Sequence, residues 1–213
     1  MENVTEYVKE KWKQLTAFSK KEELKQQLWE EIVYRYSEQH RQYHNLTHIA
    51  YLFSHCDKYI NQIKNPAVVG FAIIYHDIVY DTYRQDNEEL SAQMAEAHLT
   101  QLNINSRLLQ NVKDFIIASK NHTINEEFSL KDDLAIFLDF DMAILASEDD
   151  YYKLYSEKIR QEYAKYPDEL YREGRKLALQ KIMQTENIFN SKTFREEWEP
   201  IARQNINKEI SVL

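Results

Sequence analysis

Apolar residues recur every three to four positions along most of the chain. The first such segment places Val4, Tyr7, Val8, Trp12 and Leu15 on one face, which is the pattern of a helix that buries one side. The same pattern predicts helices over residues 4–18, 21–38, 47–63, 67–80, 87–102, 106–119, 149–165 and 168–184, with a further apolar segment over 130–145. An amphipathic piece near the end of the chain completes the series.

One segment is apolar at every position. It covers residues 67–75 and is followed at once by His76 and Asp77. A helix that is apolar all round is a buried helix, and polar groups at the end of a buried helix are costly unless they find partners. A neutral imidazole and a carboxylate are both good metal ligands. The pair therefore indicates a metal site at the end of a buried helix.

Short polar connections separate the predicted helices. Pro66 suits the first turn of the helix that follows it, and Asp86 or Asn87 can cap the next helix, with Glu89 completing a capping box with Asp86. The chain has no internal repeat, no low-complexity stretch and no Gly/Ser-rich linker. We therefore expect one domain over residues 1–213.

Composition narrows the fold class and the partners. The chain has only two Gly and three Pro, too little turn material for many short strands, so we predict an all-α helical bundle. The net charge of −8 argues against binding a nucleic-acid polymer. The single cysteine, Cys56, suits a reducing compartment. No signal-peptide pattern and no apolar run of about 20 residues is visible, so we expect a cytoplasmic protein that does not enter the membrane.

More candidate metal ligands lie on both sides of the His-Asp pair. Upstream, His44 and His48 are four residues apart and share a face if the helix begins before His44. If the helix begins at Asn45 or Thr47, only His48 is fixed by it. Downstream, Asp139 and Asp141 point about 200° apart in a helix. Only one of these two can face the same ion, and the other can orient a ligand.

Two histidines and two carboxylates form a mixed nitrogen and oxygen ligand set. Such a set favours Mn, Fe, Co, Ni or Zn over Ca, and a lone Mg site rarely uses histidine. A divalent ion of this kind activates water near neutral pH and polarises a phosphoryl oxygen. The set therefore favours a metal-dependent phosphohydrolase. The alternative is a buried histidine that is hydrogen-bonded to a core carboxylate without any metal.

Several other polar residues are either ordinary surface or helix-end residues or members of a functional site. His40, His55 and His98 stand among polar residues and are expected to be solvated. His122, in a polar loop, is either a surface residue or a phosphate contact. Glu88 either complements a helix dipole or handles a proton during catalysis.

The motifs resemble the H…HD…D pattern of the HD superfamily of metal-dependent phosphohydrolases, and most closely a branch described as predicted HD-domain hydrolases. The resemblance covers about residues 7–206. Its most specific segments are Arg41-Gln42-Tyr43-His44-Asn45-Leu46-Thr47-His48-Ile49 and Tyr75-His76-Asp77-Ile78-Val79-Tyr80-Asp81. Supporting segments are Asn87-Glu88-Glu89-Leu90-Ser91-Ala92, Leu138-Asp139-Phe140-Asp141-Met142-Ala143-Ile144-Leu145, Arg160-Gln161-Glu162-Tyr163, Gly174-Arg175 and Ala202-Arg203-Gln204-Asn205.

The resemblance implies an HD-type helical bundle that hydrolyses a small phosphate ester, with nucleotides among the candidates. It implies one divalent transition metal held by His48, His76, Asp77 and Asp141, because the extra histidines of a two-metal site are not evident. On this interpretation Asp77 or Glu88 handles the proton. The expected substrate contacts are Arg41, Tyr43, Asn45, His122 and Arg160, since Arg binds phosphate well. Two alternatives remain open: a di-iron HD-type oxygenase and a non-catalytic ligand-binding HD module.

Overall fold

The computed structural model describes residues 2–125 and 127–213, and this part of the chain is helical without any strand. Its α-helices are α1 (Glu2–Leu15), α2 (Glu22–Tyr36), α3 (Leu46–Lys58), α4 (Pro66–Tyr75), α5 (Asn87–Gln101), α6 (Ser106–Ser119), α7 (Lys131–Met142), α8 (Asp149–Glu162), α9 (Asp168–Gln184) and α10 (Lys192–Val212). Two short 3₁₀ turns, Ile60–Gln62 and Ala143–Ala146, follow α3 and α7. The prediction of an all-α fold is confirmed. Across these described residues, each helix is too short or too polar to cross a bilayer.

The chain divides into two compact units, the first ending at Phe137 and the second covering Leu138–Leu213. The first unit contains α1 to α6 and the beginning of α7, and the second contains the end of α7 and the last three helices. The expectation of a single domain stays a prediction.

The first unit is built around α4, which packs against α1, α3, α5 and α6. Every residue of this helix from Val68 to Tyr75 is buried. On the α1 side, the ring of Trp12 lies edge-on to Phe71 and Tyr75, with ring centroids 6.4 and 6.5 Å apart. The buried helix predicted from the unbroken apolar run is confirmed, and it forms the centre of this unit.

The second unit buries a smaller core in which α10 packs against α9 and the 3₁₀ turn after α7. The rings of Phe194 and Trp198 stack with centroids 4.0 Å apart, and Phe140 lies 5.7 Å from Phe194. Aromatic pairs of this kind add to the stabilisation from apolar burial.

Some predicted helix ends are wrong. The helix predicted over 67–80 ends at Tyr75, and the one predicted over 47–63 ends at Lys58 and gives way to a 3₁₀ turn. The capping box is also wrong, because the carboxylate of Asp86 accepts hydrogen bonds from Arg84 at 2.8 and 2.7 Å instead of capping α5. The helices predicted over 106–119 and 168–184 match α6 and α9.

Candidate metal centre

His76 lies at the C-terminal cap of α4, where the helix stops. Its amide donates to the carbonyl oxygen of Ala72 at 2.9 Å, and its Nδ1 lies 3.0 Å from the carbonyl oxygen of Ile73. Because a carbonyl oxygen only accepts, the proton of the second contact belongs to Nδ1. A neutral His76 ring then carries its lone pair on Nε2, as metal-binding histidines with a backbone partner do.

The next carbonyl groups of α4 also have defined donors. The hydroxyl of Tyr36, on α2, donates to the carbonyl oxygen of Ile74 at 2.8 Å. The amide of Ile78 donates to the carbonyl oxygen of Tyr75 at 3.2 Å. Every helix leaves its last carbonyls without intrahelical partners, and here those partners come from a turn and from another helix. Because α4 ends at Tyr75, helical geometry no longer forces the side chains of His76 and Asp77 to point in different directions.

His48 is placed by the first turn of α3. Asn45 caps this helix, because its side-chain oxygen accepts from the amide of Thr47 at 2.8 Å, a strongly preferred cap geometry. The helix therefore begins at Leu46, and His44 lies in the preceding loop. Of the two alternatives left open by the sequence, the one in which the helix fixes only His48 is correct.

The side chains of His48, His76 and Asp77 meet at one point, and we call these three residues the His-His-Asp cluster. The Nε2 atoms of His48 and His76 are 3.2 Å apart. Oδ2 of Asp77 lies 3.1 Å from Nε2 of His76 and 3.6 Å from Nε2 of His48. The sequence separation of 28 residues between the two histidines is closed by the packing of α3 against α4.

These separations fit a single metal ion. Ligand atoms at about 2.0–2.2 Å from an ion lie about 2.8–3.6 Å from one another in octahedral or tetrahedral geometry. The observed separations of 3.1, 3.2 and 3.6 Å fall in that range. Both histidine side chains are 1% exposed and that of Asp77 is 20% exposed, so the cluster is closed on the histidine side and reaches solvent on the carboxylate side.

Aromatic rings surround the cluster within the first unit. The ring of Tyr43 lies 5.0 Å from that of His48 and 5.0 Å from that of His44. His44 stacks on Tyr80 at 4.2 Å. Tyr43 therefore lies beside the cluster, as expected for a substrate contact, although its contact with substrate stays a prediction.

Three other predicted site residues of the first unit have defined places. Arg41 is buried, and its guanidinium donates to the backbone that carries Asp77. Glu88 lies in the first turn of α5 with its side chain 26% exposed, and its Oε2 is 4.0 Å from Nζ of Lys120. His122 follows α6 in a left-handed backbone conformation with φ of 52°. Their catalytic and substrate-binding roles stay predictions.

Asn45 has a structural role besides its predicted contact with substrate. Its oxygen caps α3, and its Nδ2 donates to the carbonyl oxygen of Gln42 at 2.9 Å. The side chain thus fixes both the loop and the helix that carries His48.

The remaining predicted residues belong to the second unit. Arg160, on α8, donates to Asp168 at 2.5 Å and to the carbonyl oxygens of Tyr163 and Tyr166 at 2.8 and 3.1 Å, so it secures the connection to α9. Asp141 stands one residue before the end of α7 and is half-buried. Both assignments, as substrate contact and as metal ligand, stay predictions.

Asp139 is a structural carboxylate of the second unit. It is fully buried, and it accepts hydrogen bonds from the amides of Asn190 and Ser191 at 2.5 and 2.7 Å. Burial raises the pKa of Asp139 to about 6, and these donors oppose the rise. Its observed hydrogen bonds hold the segment before α10 in place. Holding this segment is a different role from orienting a histidine ligand.

His98 corrects the expectation that the histidines among polar residues are solvated. It is buried on α5, with Nδ1 3.2 Å from the hydroxyl of Tyr75 and Nε2 3.3 Å from Oε2 of Glu31. Burial lowers the pKa of His98, while the charge of Glu31 opposes the effect. Its polar sequence neighbours misled the prediction, although the helical spacing places His98 on the buried face of α5 with Ala95 and Leu99.

The chain gives no match to any protein-family model, curated protein or solved structure with which it was compared.

Proposed function

We propose that this protein is a metal-dependent hydrolase of small phosphate esters. The convergence of two imidazole nitrogens and one carboxylate oxygen within 3.1–3.6 Å supports this proposal most directly. The resemblance of the motifs to the HD superfamily supplies the reaction class, and it adds Asp141 as a fourth ligand.

The donor set suits a divalent transition metal. His48 and His76 contribute nitrogen, Asp77 contributes oxygen, and such mixed sets hold Mn, Fe, Co, Ni or Zn. When bound, the ion would act as a Lewis acid on a phosphoryl oxygen and would make hydroxide available near neutral pH.

The chain's own residues would orient the ligands and move the proton. The carbonyl oxygen of Ile73 holds the proton of His76 on Nδ1, which keeps Nε2 available as a ligand. Asp77 is the more solvent-exposed member of the cluster, so its carboxylate is the nearest group in the cluster to incoming substrate. Glu88, a half-buried carboxylate paired loosely with Lys120, is the second candidate for the proton transfer.

The test joins metal analysis to an activity screen. The protein is stripped with a chelator and supplied with Mn²⁺, Fe²⁺, Co²⁺, Ni²⁺ or Zn²⁺. Bound metal per chain is then measured, together with turnover of a panel of phosphate esters and nucleotides. The variant His76→Ala should lose metal and at least about 100-fold in turnover. The matched control His40→Ala removes an exposed histidine outside the cluster and should keep both.

Each other outcome has a defined meaning. Equal hydrolysis by the wild type and by His76→Ala would refute the proposal. Two irons per chain would favour the oxygenase, and a bound metal without turnover across the panel would favour the ligand-binding module. No bound metal at all would also refute the proposal and would favour the alternative of buried histidines that are hydrogen-bonded without any metal.

A further inference from the structure

We propose that Arg41 is a positioning residue of the metal centre and that it binds the backbone of the His-Asp segment instead of the substrate phosphate. This inference rests on the proposed function, because it concerns the same metal site. It replaces the role in substrate binding that the sequence suggested for this arginine.

The guanidinium of Arg41 bridges the loop before α3 and the turn after α4. Nη1 donates to the carbonyl oxygens of His44 at 3.1 Å and Asp77 at 2.6 Å. Nη2 donates to the carbonyl oxygen of Ile78 at 2.9 Å. The fixed fork of donors in arginine suits acceptors arranged in this way, and no other side chain reproduces it. One planar group thus joins the residue next to Asn45 to the residue that supplies the cluster carboxylate.

The surroundings of Arg41 are those of a structural cation. Its side chain has no exposed surface, and Nε donates to Oε2 of Glu38 at 2.9 Å. The guanidinium carbon lies 5.1 Å from the ring centre of Tyr36 and 5.6 Å from that of Tyr80. A buried charge needs this degree of pairing. Because Nη1 and Nη2 face backbone carbonyls, Nε faces Glu38 and the side chain has no exposed surface, a substrate phosphate has no access to the guanidinium.

The positions of these acceptors explain why the contact matters for the metal. Asp77 supplies the carboxylate oxygen of the cluster. Helix α4 ends at Tyr75, one residue before His76 and two before Asp77. Once α4 ends, the helix no longer fixes the backbone of Asp77, so the guanidinium bonds do so. Groups that hold a metal ligand in position without binding the metal themselves contribute about 10–100-fold to metal affinity.

The experiment compares Arg41→Lys with the wild type in Co²⁺ binding, followed by the visible absorption of the bound ion and by its dissociation constant. Lysine keeps the charge but has a single ammonium, which cannot reach the three carbonyl oxygens with the same geometry. We expect Co²⁺ affinity to fall about 10-fold or more and the absorption bands to change. The matched control Arg84→Lys changes an exposed arginine of the same unit, paired with Asp86, and should bind Co²⁺ like the wild type.

A second ligand separates positioning from substrate binding. Inorganic phosphate is titrated into the Co²⁺-loaded proteins. If Arg41→Lys binds Co²⁺ normally with an unchanged spectrum but loses phosphate affinity, Arg41 contacts substrate and the inference is overturned. If the wild type itself binds no Co²⁺, the proposed function fails and the inference fails with it.

Circular dichroism shows whether Arg41→Lys is folded. Should it be unfolded, Glu38→Gln decides the question, because it weakens the Nε contact from a side chain that is 26% exposed. We expect this variant to fold and to lose about threefold or more in Co²⁺ affinity. Unchanged affinity in a folded Glu38→Gln protein would then overturn the inference.

Discussion

Replacing Asp133 by Asn removes a carboxylate that holds the start of α4 from a distance. Asp133 is fully buried in the first turn of α7. Its two oxygens accept from the amides of Lys64 at 2.9 Å and Asn65 at 2.6 Å. Asn65 is the N-cap residue of α4 and makes no side-chain cap of its own. The carboxylate therefore takes the place of a local cap for the central helix of the first unit.

The expected loss follows from these two hydrogen bonds. Each bond to a charged acceptor contributes about 1.5–3 kcal/mol. The amide of Asn keeps one acceptor but turns its NH₂ group toward the other backbone N–H, which leaves a buried donor without a partner. We expect a loss of about 2–4 kcal/mol in the free energy of unfolding. For a chain of this size, that lowers Tm by about 5–15 °C.

The neighbouring residue provides a matched control. Asp132 lies in the same turn of α7, and its carboxylate pairs with Nζ of Lys64 at 2.6 Å, but the two side chains are 61% and 69% exposed. Solvent screens an exposed pair of this kind, so it contributes little to stability, and Asp132→Asn should change the unfolding midpoint little. Urea unfolding followed by circular dichroism at pH 7 measures both variants. Equal midpoints for Asp132→Asn and Asp133→Asn would show that the hydrogen bonds of the Asp133 carboxylate to the amides of Lys64 and Asn65 do not stabilise α4.

Two further predictions concern the glycines and a buried histidine. Gly70→Ala should stabilise the protein less than Gly174→Ala does, because the new Cβ at position 70 would lie 2.8 Å from a methyl carbon of Leu15 and would force that side chain to move. Gly174→Ala, where nothing lies within 4 Å, should stabilise it by about 0.4–1 kcal/mol; the opposite order of urea midpoints would contradict this explanation. The lowered pKa of His98 means that the unfolded chain binds more protons below pH 6.5, so stability should fall as the pH drops below that value. In His98→Gln the difference between urea midpoints at pH 7.5 and 5.5 should shrink, and an unchanged difference would assign the pH dependence to other groups.

The all-α fold could be predicted from the sequence because its causes are local. The periodic apolar positions and the scarcity of Gly and Pro specify helices wherever they occur along the chain. The bounds of α6 match the prediction because its cap is also local: Asn105 accepts from the amides of the two residues at 107 and 108. The candidate ligands His76 and Asp77 are predictable for a related reason, since polar groups beside an unbroken apolar run stand out in a single sequence.

The end of α4 could not be predicted, because distant residues determine it. Among its last carbonyl oxygens, that of Ile74 accepts from Tyr36, which lies 38 residues earlier in the chain. Arg41 then fixes the turn from 36 residues away. The apolar pattern continues past Tyr75 through Ile78 and Val79, so the sequence carried no signal that the helix stops there.

What the sequence alone determined is the set of helices and the residue types available for chemistry, because periodicity and composition act over a few residues. Which of these polar groups meet depends on how the helices pack. Asp133 caps a helix that begins 67 residues earlier in the chain, Asp139 binds amides 51 and 52 residues away, and His98 is buried between Tyr75 and Glu31. Each of these contacts satisfies a buried polar group, and a buried group takes its partner from whatever the packed helices bring near, regardless of separation along the chain.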